Sequence, residues 1–153
     1  MRHVCFDNKL TRKERQKGDK LAAIRDVWDL MQSNIREDYE PSEWLTVDEQ
    51  LYAYRGYVPG RAYMPAKPAK YGIKIFWCCD ASNGFALESY LYSGKNENER
   101  TVGLGEQIVL KLTEKYYGTN RNIFTDRYFT SFSLLEKLLA NGLTITGTIN
   151  ANR

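Results

Sequence analysis

The sequence has one histidine, few cysteines and no long apolar run, and each shortage excludes a class of protein. His3 is the only histidine, which excludes a histidine-based catalytic triad and a histidine-rich metal site. The three cysteines are odd in number and show no CxxC spacing, so we expect reduced residues buried in strands rather than disulfides or a zinc site. No stretch is long enough to span a membrane and the N-terminus lacks a signal peptide, which predicts an intracellular protein with no membrane partner.

Acidic residues are absent between Glu49 and Asp80, although the whole chain is nearly balanced at a formal net charge of +3. Five basic residues occupy that acid-free stretch: Arg55, Arg61, Lys67, Lys70 and Lys74. Residues 1–20 hold a further seven basic side chains against three acidic ones. Such local positive regions are typical of a surface that contacts phosphates, while a solvated charged face remains the alternative.

The hydrophobic pattern predicts one folded domain with an N-terminal helix, five strands and two further helices. The first helix, residues 19–39, carries an apolar stripe at steps of three and four: Leu21, Ile24, Trp28, Met31 and Ile35. Asn83-Gly84 predicts the turn of an antiparallel hairpin. Strands are predicted at 45–54, 71–79, 85–92, 122–126 and 143–149, and helices at about 106–117 and 133–141. Residues 55–70 are predicted to form either a long ordered loop or a frayed edge of the sheet.

The order of these elements, β-β-β-α-β-α-β after a helix, is the order of the ribonuclease H-like (retroviral integrase-like) fold. We therefore predict an α/β domain with a mixed sheet and flanking helices. Right-handed crossovers would place the fourth strand beside the first. Asp48 and Asp126 would then lie on neighbouring strands, close enough to share a cation.

Each of these two aspartates also has a plainer interpretation. Asp is disfavoured inside strands, and a buried carboxylate is costly unless it is paired or bound to a metal. Asp126, however, ends the predicted strand 122–126 and could be a turn residue, and Asp48 could face solvent. The pattern alone leaves both interpretations open.

Two blocks of the sequence resemble those of a known family, the piggyBac transposases, which include the piggyBac transposable element-derived proteins. The first block consists of Leu45-Thr-Val-Asp-Glu-Gln, Tyr54-Arg-Gly and Tyr63-Met-Pro-Ala-Lys-Pro-Ala-Lys-Tyr-Gly-Ile-Lys. The second is Thr125-Asp-Arg-Tyr-Phe-Thr-Ser, and the segment 142–153 resembles the stretch that follows it in the family. The resemblance covers nearly the whole chain.

The resemblance implies a DDE-type transposase catalytic domain that uses two Mg²⁺ or Mn²⁺ ions. Asp48 and Asp126 would be the first two members of its DDD triad, both catalytic and metal-binding. The five basic residues of the acid-free stretch would contact DNA. The implied partner is double-stranded DNA at transposon ends, a homodimer is compatible with the family, and the implied location is the nucleus.

The chain departs from the family pattern at several positions. Tyr57, Arg127 and Asn150 stand where the family usually has Arg, Asn and Arg. We interpret residues 1–44 as a basic segment with a lead-in helix, and residues 45–153 as the first part of the catalytic core, incomplete because the third acid and the insertion region are absent. On this interpretation the chain is a fragment with an incomplete two-metal site, and it is inactive alone.

Other functions compete with that of a transposase. The main alternative is a domesticated, non-catalytic protein that binds DNA or chromatin through the basic surface, and a nuclease of the same fold is a weaker one. Gly103-Leu-Gly105 before a helix resembles a nucleotide-binding turn, but the third glycine of that motif is absent.

Overall fold

The structure, a computed structural model, describes residues 7–58, 60–94 and 103–149. His3, Cys5 and Asn150 lie outside the described residues. The helices are α1 (Lys9–Arg15), α2 (Arg25–Asp38), α3 (Leu104–Thr113) and α4 (Phe132–Ala140), and the 3₁₀ turn Glu114–Tyr116 extends α3. The strands are β1 (Trp44–Ala53), β2 (Ala62–Tyr63), β3 (Tyr71–Asp80), β4 (Ala86–Tyr92), β5 (Asn122–Thr125) and β6 (Thr144–Gly147).

The predicted fold class, an α/β domain with a mixed sheet and flanking helices, is confirmed. Two details differ. The helix predicted from residue 19 begins at Arg25, because Asp19 accepts a hydrogen bond from the Leu21 amide (2.9 Å) and holds the preceding residues in turns. The segment 55–70, predicted as a loop or a frayed sheet edge, contains the two-residue strand β2, which pairs with the first residues of β3.

The sheet combines an antiparallel half with a parallel half. Strand β3 runs antiparallel to β1 and also pairs with β4 and β2, while β1, β5 and β6 are parallel to one another. Parallel neighbours need a crossover connection. Helix α4 provides the crossover between β5 and β6, and the chain returns from β4 through α3 to place β5 beside β1. The predicted adjacency of the first strand and the strand at 122–126 is thus observed.

The main core fills the face of the sheet covered by α3 and α4. Leu45 and Val47 alternate inward from β1 and pack with Phe76, Val109 and Leu134, all nearly inaccessible to solvent. Because side chains alternate along a strand, Asp48 projects to the other face, out of this core. Burial of the apolar side chains fixes the register of β1, and with it the side on which Asp48 emerges.

Helix α2 covers part of the opposite face, where Leu21, Ile75 and Leu91 form a second apolar cluster. Trp28 packs against Trp77 with ring centroids 5.6 Å apart, and its indole nitrogen donates to the Ser89 hydroxyl (2.9 Å). The N-terminal half of the predicted stripe therefore packs on the sheet, whereas Met31 further along is exposed.

The two described cysteines lie side by side on β3 and are free thiols. Cys78 is buried and Cys79 half-buried, and burial raises the pKa of both thiols. The prediction of reduced, buried strand cysteines is confirmed for Cys78, whereas Cys79 is a free thiol on the same strand but is only half-buried. Among residues 7–58, 60–94 and 103–149, no helix combines the length and the apolar character that crossing a membrane requires.

Candidate active site

The parallel pairing of β1 and β5 brings Asp48 and Asp126 together. The last pair in register is Val47 of β1 with Thr125 at the end of β5, and each of these residues is followed directly by one of the two aspartates. One carboxylate oxygen of Asp48, one of Asp126 and one of Glu49 all lie within 4.8 Å of one another. We refer to these three residues as the carboxylate cluster.

Both aspartates are exposed and held by short-range hydrogen bonds. Asp48 Oδ1 accepts from the Glu49 amide (2.7 Å), and Asp126 Oδ1 accepts from the Tyr128 amide (2.9 Å). The Asp126 carbonyl accepts from the amides of Phe129 (3.2 Å) and Thr130 (3.1 Å), so the residue opens a tight turn directly after β5. These bonds orient the carboxylates and leave them accessible to a ligand.

Helix α3 packs closely on the turn that carries Asp126. A Cβ atom at Gly105 would lie 3.0 Å from the Tyr128 carbonyl oxygen and 3.3 Å from Phe129 Cα. The glycine is explained by this close approach, since it lets the first turn of α3 support the turn after β5. The packing accounts for Gly105 without a nucleotide.

Glu49 is the member of the cluster that the sequence interpretation did not assign. Its side chain is 13% exposed and forms an ion pair with Lys67, with Nζ 3.3 Å from Oε1. Lys67 Nζ also donates to the Glu49 carbonyl (3.4 Å), which fastens the loop before β3 to β1. The sequence signal that could have identified Glu49 is its position directly after Asp48, as the second acid of an Asp-Glu pair inside a strand.

Lys74 also lies at the cluster, on β3. Its ammonium group sits over the rings of Phe76 (4.5 Å) and Tyr128 (5.0 Å). Burial lowers the pKa of Lys74, the nearby charge of Lys67 acts in the same direction, and the carboxylates of the cluster oppose them. Two of the five predicted DNA-binding residues, Lys67 and Lys74, therefore face the carboxylates.

The other three predicted DNA-binding residues form a separate group, which we call the arginine pocket: Arg55, Arg61 and Lys70, all exposed, around a cavity of about 460 Å³. Arg61 donates to the carbonyls of Arg55 (3.2 Å) and Gly56 (3.3 Å), and its guanidinium lies 5.2 Å from the Tyr71 ring centroid. The acid-free stretch thus supplies two positive groups, not one continuous row.

The donor set of the cluster suits a hard divalent cation. Carboxylate oxygens are the ligands that Mg²⁺ and Mn²⁺ prefer, and Mg²⁺ is usually held by one or two of them together with waters and phosphate oxygens. Asp48 and Glu49 line an open groove of about 580 Å³ and Asp126 is exposed, which leaves room for such further ligands. The residues present therefore fit the metal that the resemblance implies.

Comparison with known proteins places the chain among transposases. A family model described as "Transposase IS4" matches residues 1–153. The chain is 29% identical over 137 residues to human PiggyBac transposable element-derived protein 3, covering 86% of this chain and 23% of that protein. It is 26% identical over 140 residues to human PiggyBac transposable element-derived protein 2, covering 88% and 24%.

A solved structure shares the fold at higher identity. The chain superposes on the cryo-EM structure of a piggyBac transposase synaptic complex with hairpin DNA at a TM-score of 0.88 and 38% identity, covering 96% of this chain and 31% of that one. It thus spans about a quarter of the length of the curated relatives and about a third of the solved chain. The full-length family match and the shared fold show that the chain belongs to the piggyBac-type transposase family.

Proposed function

We propose that this chain provides the first two acids, Asp48 and Asp126, of a DDE transposase active site that cleaves and transfers DNA strands in cut-and-paste transposition. The observation that supports this proposal is that the two carboxylates lie within 4.8 Å of each other, next to the last paired residues of two adjacent parallel strands. Residues 45–153 are the proposed part of the catalytic core, and residues 1–44 the proposed lead-in.

Asp48 and Asp126 are the proposed ligands of Mg²⁺ or Mn²⁺. Divalent ions in such a site activate the attacking oxygen and stabilise the leaving oxygen of a phosphodiester. The chain contributes preorganisation, since both carboxylates are already oriented by amide hydrogen bonds and α3 packs on the turn that carries Asp126. Glu49, tied to Lys67, adds negative charge beside them.

Double-stranded DNA is the proposed partner, and a nuclear location follows from that proposal. The arginine pocket offers exposed guanidinium and ammonium groups, which suit sequence-independent contacts with phosphates. The similar piggyBac transposase was solved in a synaptic complex with hairpin DNA, which supports this partner. A domesticated, non-catalytic DNA-binding protein would use the same pocket without needing the aspartates.

The catalytic proposal is tested in a hybrid in which these 153 residues replace the matching segment of the similar piggyBac transposase. We expect the hybrid to cleave transposon-end DNA, and Asp48→Asn or Asp126→Asn to reduce cleavage to background. The 153-residue chain alone is expected not to cleave, because two aspartates do not complete a two-metal site.

Asp29→Asn is the matched control, since Asp29 lies on α2 with a side chain that is 64% exposed. The control hybrid should cleave like the unaltered one. Cleavage that survives loss of Asp48 and of Asp126 would show that these residues are not catalytic. A folded hybrid that binds DNA without cleaving it would favour the non-catalytic alternative.

The DNA proposal predicts a change in salt dependence. Binding to random duplex should weaken as salt rises, and each phosphate contact contributes roughly 0.9 to the slope of log K against log salt. Arg55→Gln with Lys70→Gln should therefore flatten the slope by about two. Lys111→Gln with Lys137→Gln, two exposed lysines on α3 and α4, is the control and should leave the slope unchanged. An equal slope in both double variants would assign the arginine pocket to a solvated face.

A further inference from the structure

The carboxylate cluster already has positive charge placed against it. Lys67 contacts both the carboxylate and the backbone carbonyl of Glu49, at 3.3 and 3.4 Å. The side chains of this pair are 35% and 13% exposed, so water and salt screen their attraction less than at an open surface. The ion pair of Lys67 and Glu49 is therefore part of the folded site and not a loose contact at the surface.

Lys74 is held at the cluster by different means. The rings of Phe76 and Tyr128 position its half-buried ammonium group between β3 and the turn that begins at Asp126. Three carboxylates thus face two ammonium groups, which leaves one net negative charge in place of three. A divalent ion would invert that charge to one positive, and one phosphodiester would then neutralise it.

We infer that Lys67 and Lys74 are internal counter-cations of the carboxylate cluster. In the absence of DNA the two lysines weaken the binding of a divalent cation by the cluster, and a phosphate of bound DNA removes this effect by neutralising their charge. The inference rests on the proposed function, because it assumes that Asp48 and Asp126 hold the ion. It makes cation and DNA raise each other's affinity, since linkage between two ligands is reciprocal.

The test replaces each lysine with methionine, which keeps the length of the side chain and removes the charge. In the DNA-free chain, Lys67→Met and Lys74→Met should each bind Mn²⁺ or Mg²⁺ on the order of tenfold more tightly, since one nearby unit charge has that order of effect. Electron paramagnetic resonance measures Mn²⁺ binding, and calorimetric titration measures Mg²⁺ binding. Random duplex DNA should then raise the cation affinity of these variants less than that of the unaltered chain.

Lys111→Met is the matched control, because Lys111 is an exposed lysine on α3 that belongs neither to the carboxylate cluster nor to the arginine pocket. Its DNA-free cation affinity should equal that of the unaltered chain. Lys67→Met removes a contact that fastens the loop to β1, so Lys74→Met carries the test if the first variant does not fold.

The outcomes separate this inference from the proposed function. An unaltered chain that binds Mn²⁺, with folded lysine variants of the same affinity, would overturn the inference and leave the metal site standing. Absence of cation binding in the unaltered chain and in every variant would remove the metal site and the inference with it. Binding that appears only in the methionine variants would support both.

Discussion

Asp48→Asn is expected to abolish the stabilisation of the fold by Mg²⁺. A ligand that binds only the folded state stabilises it by RT ln(1 + [L]/Kd), which is about 1.4 kcal/mol at ten times Kd. For a domain of this size the melting temperature should rise by about 4 °C. Asp126→Asn should abolish the same rise, because each aspartate provides one side of the proposed site. Thermal melts with and without Mg²⁺ measure both effects.

In the absence of metal, neither Asp48→Asn nor Asp126→Asn should lower the unfolding free energy much. The amide oxygen of Asn can accept the hydrogen bond from Glu49 N at position 48 and the one from Tyr128 N at position 126. Each replacement also removes one of three like charges, so the metal-free melting temperature should stay equal or rise slightly. Asp29→Asn, at an exposed position of α2, should keep the full response to Mg²⁺. A metal response that persists in both Asp48→Asn and Asp126→Asn would remove these residues from the site.

Asp80→Asn is expected to destabilise the fold by about 3 kcal/mol, since hydrogen bonds to a buried charge are strong and an unmatched amide cannot replace them. Asp80 is fully buried and joins the segment before β1 to the hairpin of β3 and β4. Its carboxylate accepts hydrogen bonds from five donors: Tyr39 OH (2.9 Å), Ser42 N (2.7 Å), Ser42 Oγ (2.8 Å), Ser82 N (2.9 Å) and Ser82 Oγ (2.6 Å). Urea titration at neutral pH measures the loss. Ser82→Ala, which removes only one of these donors, should cost about 1 kcal/mol.

The contribution of Asp80 should also depend on pH. Burial alone would raise the pKa of Asp80, but the hydrogen bonds from Ser42 and Ser82 outweigh burial and lower the pKa well below its ordinary value. In the unfolded chain the Asp80 carboxyl titrates at about pH 4. Its contribution to the stability of the fold is therefore complete above that pH and declines as the pH falls toward the lower pKa of the folded state. The difference in unfolding free energy between the unaltered chain and Asp80→Asn should therefore shrink below about pH 4. A constant difference from about pH 7 to about pH 3 would contradict this origin.

The fold could be predicted from the sequence because its elements carry clear periodic patterns. Leu45 and Val47 alternate along β1, and the Asn83-Gly84 turn connects two strongly β-forming segments. The short strand β2 could not be predicted, since two residues carry no period and pair only because β3 is beside them. The exposure of Met31 was not predictable either, because helical spacing describes one face of a helix and not how far its partner surface extends.

For the candidate site, the sequence could predict which strands are neighbours but not where the charged side chains around them point. Strand order placed Asp48 beside Asp126, as found. The positions of Lys67 and Lys74 were not predictable, because the long flexible side chains of a basic stretch can turn to solvent, to DNA or to an internal carboxylate. Tertiary contacts with Glu49 and with the Tyr128 ring decide that they turn inward. Glu49 was not predicted as a member of the cluster, because alternation alone would send it away from Asp48.

The parallel pair of β1 and β5 joins segments that are far apart in the sequence, whereas β3 and β4 close across a short turn. Contacts between distant segments form late in folding, because a large loop must close before they stabilise the chain. Asp48 and Asp126 consequently remain apart in every folding intermediate in which β5 has not yet joined the sheet. On the proposed function, capture of a divalent ion by the pair requires the finished sheet, and partly folded chains are not expected to compete for it.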